Sequence, residues 1–426
     1  MIVVKNPPGE AWPGLLQRPA FDAASLQEKV AAILNDIKVN GDGAVLKYTA
    51  LYDGVQLDNL LVTAEEIAAA HQQISNDLKA SIQVAANNIR TFHSKQLTNK
   101  TEVIETMPGV ACWRKPVAIE KVGLYVPGGS APLFSTVLML AIPAQIAGCK
   151  EIVLCTPPAK DGSVHPAILF AAQLTGVTTI IKAGGVQAIG AMAYGTASVP
   201  KIYKILGPGN QYVTCAKQLV QQEGVAIDMP AGPSEVCVLA DESADASFVA
   251  ADLLSQAEHG IDSQVLLVTT SENLIEATTR EIGKQLDNLP RKVIAAQALE
   301  NSKMILMDNM EAAIEMVNEY AAEHLILACN NADAIAEQIV NAGSVFIGNF
   351  SPESVGDYAS GTNHTLPTHG FAKAYSGVSV DSFIKKITYQ KLTQTGLQAI
   401  ASSVITMAEA EGLQAHAEAV KVRVKA

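Results

Sequence analysis

Between positions 122 and 348 the chain repeats one pattern: a short apolar run stops at a Gly or Pro turn and a stretch of helix length follows. The first runs are VGLYVPGG, EIVLCTPP, TTIIKAGG, KIYKILGPG and VAIDMPAGPSE, with helical patterns at 135–147 and 186–194 between them. After Glu235 the pattern resumes as VCVLA, SQVLLVTT, KMILMD, LILAC and SVFIG, separated by helical segments that include 246–257 and 333–341. Parallel strands need a long crossover, so strands alternating with helices imply parallel sheets joined by right-handed connections. Two similar α/β units with a cleft between them are expected, although no sequence repeat is strong enough to show duplication. In such sheets ligands bind beyond the strand carboxyl ends, which is where these glycines fall.

The flanks read differently. Residues 24–92 are helical in pattern, with one helix at 25–38. A capping box at Thr63-Ala64-Glu65-Glu66 opens a long amphipathic run to His93. His71 and His93 lie on polar-sided helices and are expected to face solvent, without visible chemistry. Beyond Ser379 the pattern is helical again, at 381–387 and 391–419. There Leu397, Ile400, Val404 and Met407 form a stripe at helical spacing. Such an appendage must bury its stripe against a partner subunit or its own domain.

A chain of 426 residues exceeds the size at which single cores stop growing, so more than one packed unit is required. The 30 basic residues are outnumbered by 42 acidic ones, with no long Lys or Arg run, and nucleic acid is therefore excluded as a partner. The start, MIVVKNPPGE, meets prolines and a charge too early for a signal peptide. The longest apolar stretch, 137–146, is broken by Pro143 and Gln145, so no membrane span and a cytoplasmic location are expected. Six cysteines without a C-x-x-C pair fit buried free thiols.

Four places could carry chemistry. In LLSQAEHG a helix ends by presenting Gln256 and His259 on one face, as half of a metal site or, for His259, as a helix cap. Glu323-His324 closes a helix at 310–322. It could supply two proton-transfer groups, or His324 could be a cap interacting with the helix dipole. The polar loop 351–364 brings Glu353, Asp357 and His364 into a few residues after the strand SVFIG. Glu411 to His416, on the terminal helix, alone passes as an exposed face. Gln, Asp and two His make an oxygen and nitrogen set that zinc accepts, and that cobalt or manganese could also occupy. Nothing in spacing selects His416 over the other histidines. A G-x-G-x-x-G fingerprint is absent: Gly207-Pro208-Gly209-Asn210-Gln211-Tyr212 has Tyr at the third place, and the Gly128-Gly129-Ser130 turn lacks the spacing.

These motifs together resemble one family. VGLYVPGGSAPLFSTVLMLAIPAQIAGCK, GPGNQYV, IDMPAGPSEV, DLLSQAEHG, AAEHLI, SPESVGDYASGTNHTLPT and AEGLQAH are similar to the histidinol dehydrogenases, over essentially the whole chain. The resemblance implies two Rossmann-like α/β domains with parallel sheets, plus N-terminal helices and a helical C-terminal tail. Its expected division is an N-terminal segment at 1–23, a discontinuous domain at 24–124 and 236–378 holding metal and catalytic residues, an inserted NAD-binding domain at 125–235, and a tail at 379–426 exchanged in a homodimer. It further implies one Zn2+ per subunit held by Gln256, His259, Asp357 and His416, the last from the other subunit's tail. Glu323 and His324 match the catalytic pair. Ser234, Glu353, His364 and Glu411 match substrate contacts alongside His324 and the metal ligands, and Tyr125, Gln187 and Asn210 match contacts to NAD+. The implied reaction takes L-histidinol through bound L-histidinal to L-histidine and reduces two NAD+.

Three competing readings have discriminators in the sequence. A thiol-based aldehyde dehydrogenase would use Cys149, whose setting in AQIAGCKEIVLC points to a buried, inert thiol. A metal hydrolase would use the same ligands without a nicotinamide. A zinc scaffold would show neither turnover nor cofactor binding.

Overall fold

The computed structural model describes residues 1–18, 23–97, 101–128, 131, 132–230 and 232–425. Its strands in chain order are β1 (Ile2–Lys5), β2 (Val103–Met107), β3 (Val110–Ala118), β4 (Lys121–Tyr125), β5 (Glu151–Thr156), β6 (Thr179–Lys182), β7 (Lys204–Leu206), β8 (Ala226–Ile227), β9 (Glu235–Ala240), β10 (Gln264–Thr269), β11 (Lys303–Leu306), β12 (His324–Ala328), β13 (Ser344–Ile347) and β14 (Ile384–Leu392). Two parallel sheets form from the alternating pattern. One is β6-β5-β4-β7-β8; the other is β1-β11-β10-β9-β12-β13. Without β1, both sheets have the same order. The first strand is central, the next two step outward on one side, and the last two step outward on the other, which is the doubly wound order 3-2-1-4-5-6 short of its sixth strand. The duplication that the sequence does not display is therefore present in the topology.

Central strands are continuous apolar runs because helices cover both faces. Every residue of β9, β10 and β12 is buried. Helix Phe134–Ala147 is buried continuously from Ser135 to Ala144 and packs against helix Asn76–Ser94 on one side. Helix Ala23–Asn40 packs on helices Gly185–Tyr194 and Gln211–Gln222, and helix Ala64–Gln73 packs on Pro166–Leu174. By contact, these N-terminal helices lie against helices of the five-stranded sheet.

Several local expectations need correction. The run from Thr63 to His93 is two helices, Ala64–Gln73 and Asn76–Ser94, because Ile74 turns extended and Ser75 caps the second through Leu78 N. His93 does not face solvent. It is fully buried, with Nδ1 2.9 Å from the Ile89 carbonyl. Residues 381–387 are not a helix: a short 3-10 turn, Val380–Phe383, leads into β14, which pairs antiparallel with β3 in a three-stranded sheet β14-β3-β2. The segment 391–419 holds two helices, Gln394–Ala410 and Gln414–Val424, separated at Gly412, whose φ is +74°. Ile2–Lys5 adds an edge strand beside β11, where no strand was expected.

Candidate active site

Glu323 and His324 stand at the amino end of β12, immediately after helix Met310–Tyr320 stops. Ala321 takes a left-handed conformation there (φ +52°), which ends the helix and turns the chain into the strand. Both side chains are buried. Their neighbours come from the starts of adjacent strands and from helix ends at the same edge. The Glu235 N–H, opening β9, donates to Glu323 Oε2 at 2.9 Å, and the Glu235 carbonyl lies 3.2 Å from His324 Nδ1. Gln256 ends helix Ala246–Ala257, fully buried, with Nε2 3.5 Å from Glu323 Oε2. The helix Glu353–Tyr358 brings Asp357 Oδ1 to 3.2 Å from His324 Nε2 and Glu353 Oε2 to 3.9 Å from His324 Nδ1. Ser255 donates to Glu353 Oε1 at 2.6 Å. The buried Glu323–His324 cluster thus collects at the amino edge of the six-stranded sheet, opposite to the edge that the general rule for open α/β sheets selects.

One imidazole among three carboxyl groups sets the electrostatics. Burial pushes Glu323 up to about 8 and Glu353 up to about 8, against the opposing pull of His324. Burial acts to lower His324, but the surrounding Glu323, Asp357 and Glu353 outweigh it and raise the imidazole to about 10. Asp357 is held below the usual carboxylate range by the hydrogen bond and charge of His324, which overcome its burial. His259 follows the helix end, largely exposed as a residue, and desolvation of its ring lowers the imidazole below its ordinary value against the opposing pull of Asp357. His364 Nδ1 lies 2.9 Å from the Asp357 carbonyl and Nε2 3.1 Å from Thr136 Oγ1, so it ties the loop to the helix that follows β4. Ser234 precedes β9, half-buried, and its carbonyl accepts from Gln264 N.

Glu411 and His416 do not join this cluster within one chain. Both are exposed on the terminal helical pair, and nothing among the described residues ties their side chains to the others. Among the described residues, no three His, Cys, Asp or Glu side chains are grouped to hold a metal ion. The residues present nevertheless fit one. Gln256 Oε1 is a buried acceptor without a hydrogen-bond partner, and Asp357 Oδ1 meets only the His324 imidazole at 3.2 Å; such buried acceptors are costly unless a donor or cation meets them.

The cofactor candidates occupy the carboxyl edge of the five-stranded sheet. Tyr125 ends β4, buried, and its hydroxyl accepts from Gly185 N at 3.0 Å. Gln187 lies in the first turn of helix Gly185–Tyr194 and is buried, with Oε1 unpartnered. Asn210 caps helix Gln211–Gln222, accepting from Tyr212 N and Val213 N. Gly207 is required where β7 meets β4: its φ is +130°, and a Cβ there would lie 2.0 Å from the Tyr125 carbonyl. The Gly128-Gly129-Ser130 turn falls partly outside the described residues. Together these groups fit a nucleotide, with an acceptor left open at Gln187 and a helix N-terminus at Asn210.

Cys149 sits before β5, at the amino edge of its sheet and away from these residues, and burial pushes its thiol up to about 12. It has no thiolate to offer as a nucleophile. The sequence reading missed Glu235 and Ser255, which contact Glu323, His324 and Glu353 through main chain and hydroxyl. Both stand inside the motifs PSEV and LLSQAEHG, but a supporting hydrogen bond leaves no pattern of its own.

The chain matches the family model described as histidinol dehydrogenase over residues 16–424. It is 62% identical to the histidinol dehydrogenase of Bacteroides thetaiotaomicron over 423 residues, covering 99% of both chains, and 53% identical to that of Xylella fastidiosa over 410 residues, covering 96% of this chain and 95% of the other. A crystal structure of histidinol dehydrogenase from Elizabethkingia anophelis superposes with a TM-score of 0.97 at 56% identity, over 100% of this chain and 98% of that one. With its two parallel sheets and these full-length likenesses, the chain belongs to the histidinol dehydrogenase family.

Proposed function

We propose that this chain oxidises L-histidinol to L-histidine at one site in two successive steps, with L-histidinal kept bound between them. The observation that carries the reading is the buried convergence of Glu323 and His324 with Gln256, Glu353 and Asp357. Gln256, His259 and Asp357 would hold Zn2+, completed by His416 of a second copy, and the ion would fix the substrate's nitrogen atoms in place. Tyr125, Gln187 and Asn210 would bind NAD+, which accepts a hydride in each oxidation.

The residues divide the proton work. His324 takes the proton of the substrate hydroxyl in the first oxidation and that of the aldehyde hydrate in the second. Its neutral form is favoured once positive charge is held at Gln256, His259 and Asp357, since a nearby cation disfavours the imidazolium. Glu323, adjacent in sequence and anchored by the Glu235 N–H, takes a proton from the water that attacks the aldehyde. Glu353, His364 and Ser234, with Glu411 from the second copy, would orient the substrate. The half-buried stripe of Leu397, Ile400 and Val404, with Met407 65% exposed, supports a homodimer in which tails are exchanged.

The test is the amount of NADH formed per L-histidinol consumed by purified protein, before and after chelation and zinc add-back. Two NADH, lost on chelation and restored by zinc, are expected. One NADH with released aldehyde would remove the second step and the role of Glu323. No NADH from a folded, metal-loaded protein would overturn the reading.

A further inference from the structure

Asp53 belongs to the helical N-terminal region, at the end of the turn Thr49–Asp53, yet its carboxylate reaches the glycine turn between β6 and helix Gly185–Tyr194. Its Oδ2 accepts from Gln187 Nε2 at 3.1 Å, and it also accepts a backbone hydrogen bond from Gly184, with Oδ1 on the Gly184 side. Lys160 donates to the Asp53 carbonyl at 2.9 Å and holds the turn in place. Gln187 is 1% exposed. With Nε2 committed to Asp53, its Oε1 is left buried without a hydrogen-bond partner beside Gly185.

We propose that Asp53 is a positioning residue for the nicotinamide nucleotide: it fixes the Gln187 amide so that the carbonyl, not the NH2, is presented to a hydrogen-bond donor on the cofactor. The inference rests on the reading that Gln187 touches NAD+. A carboxylate is acceptor-only, so it can satisfy both the Gly184 N–H and the Gln187 NH2. Asparagine cannot. The Gly184 N–H has no alternative sense and claims the single oxygen, which turns the asparagine NH2 toward residue 187. The Gln187 amide must then flip, offering its carbonyl to Asn and its NH2 to the cofactor. A glutamate at 187 would accept from that Asn and restore an acceptor on the cofactor side.

NADH binding to the purified, metal-loaded protein, followed by fluorescence titration without turnover, tests this. Asp53→Asn is expected to weaken NADH roughly three- to tenfold, the size of one misdirected hydrogen bond. Gln187→Glu alone should also weaken it, by setting two carboxylates side by side. The double variant Asp53→Asn with Gln187→Glu should bind more tightly than either single variant, a reciprocal rescue that a merely structural Asp53 would not produce. Should Asp53→Asn fail to fold, Asp53→Ala serves: it should weaken NADH, with Gln187→Met adding nothing to the loss. An unchanged affinity in Asp53→Asn, or a double variant weaker than both singles, overturns the proposal; if Gln187→Met still weakens the parent, the cofactor reading stands. Unchanged affinity in Gln187→Met removes the Gln187 contact and the proposal together.

Discussion

Glu323 and His324 are neighbours in sequence, and adjacent residues on a helix would point apart. They converge because the helix ends at Ala321 and both follow the turn into the strand edge, where Glu235 binds each through its main chain. Glu323→Gln keeps the shape and removes the base. Aldehyde oxidation should fall about a hundredfold or more, while alcohol oxidation changes little, measured separately with L-histidinal and L-histidinol. Equal losses would count against water activation by Glu323. Glu235 is itself anchored. Arg18 Nε and Nη2 donate to its two carboxylate oxygens at 2.7 and 2.8 Å, and the guanidinium stacks 4.1 Å over the Tyr320 ring. Arg18→Met leaves Glu235 charged, buried and without its bidentate partner, and should cost about 3–5 kcal/mol in urea unfolding. A loss under about 1 kcal/mol would mean that the His369 N–H alone suffices to hold Glu235.

At the scale of elements, helix Asn76–Ser94 shows what periodicity leaves out. Its apolar face is legible in the sequence, but His93 sits among the buried residues of this helix, where a polar side chain reads as exposed until a neighbour covers it. Nδ1–H donates to the Ile89 carbonyl, Nε2 is buried without a partner, and burial lowers the imidazole below its ordinary value. The folded form therefore holds His93 neutral. Its contribution to stability is complete above the unfolded value of about 6.5 and is lost as pH falls below it toward the depressed folded value. The urea midpoint should drop between pH 7.5 and pH 5, and His93→Leu should make that drop smaller. An identical acid dependence in the variant would show that His93 is not the group titrating. β14 illustrates a different gap. Ile384–Leu392 has alternating side chains over KKITYQK, but it follows a helical turn and precedes a helix, so only its pairing with β3 decides that it is extended.

Across the whole molecule the two sheets are used at opposite edges. The five-stranded sheet presents Tyr125, Gln187 and Asn210 at its carboxyl edge, whereas the six-stranded sheet presents the Glu323–His324 cluster at its amino edge. His364, bonded to Thr136, and Asn363, donating to the Met139 carbonyl at 2.6 Å, join the loop of one sheet's site to a helix of the other sheet. The terminal helices leave His416 exposed. His416→Ala should lower zinc content with the dimer retained, assayed by metal analysis and light scattering. Full zinc occupancy and activity in that variant would dismiss the tail's contribution.

The alternation of apolar runs with helical segments determined two parallel α/β units from the sequence alone, because burial on both faces of a strand and the length of a crossover are local demands. Gly and Pro turns marked the edges, and the side-chain types Gln, His, Asp and Glu marked the chemistry. Only the tertiary structure decided which edge of each sheet those residues reach. It also decided that residues 2–5 and 384–392 pair as strands, that His93 is inside, and that Asp53 and Arg18 support residues about 134 and 217 positions away. The reason is physical. Strand and helix patterns follow from each segment's own periodicity, whereas a hydrogen bond between distant positions exists only after packing has brought its two ends within about 3 Å.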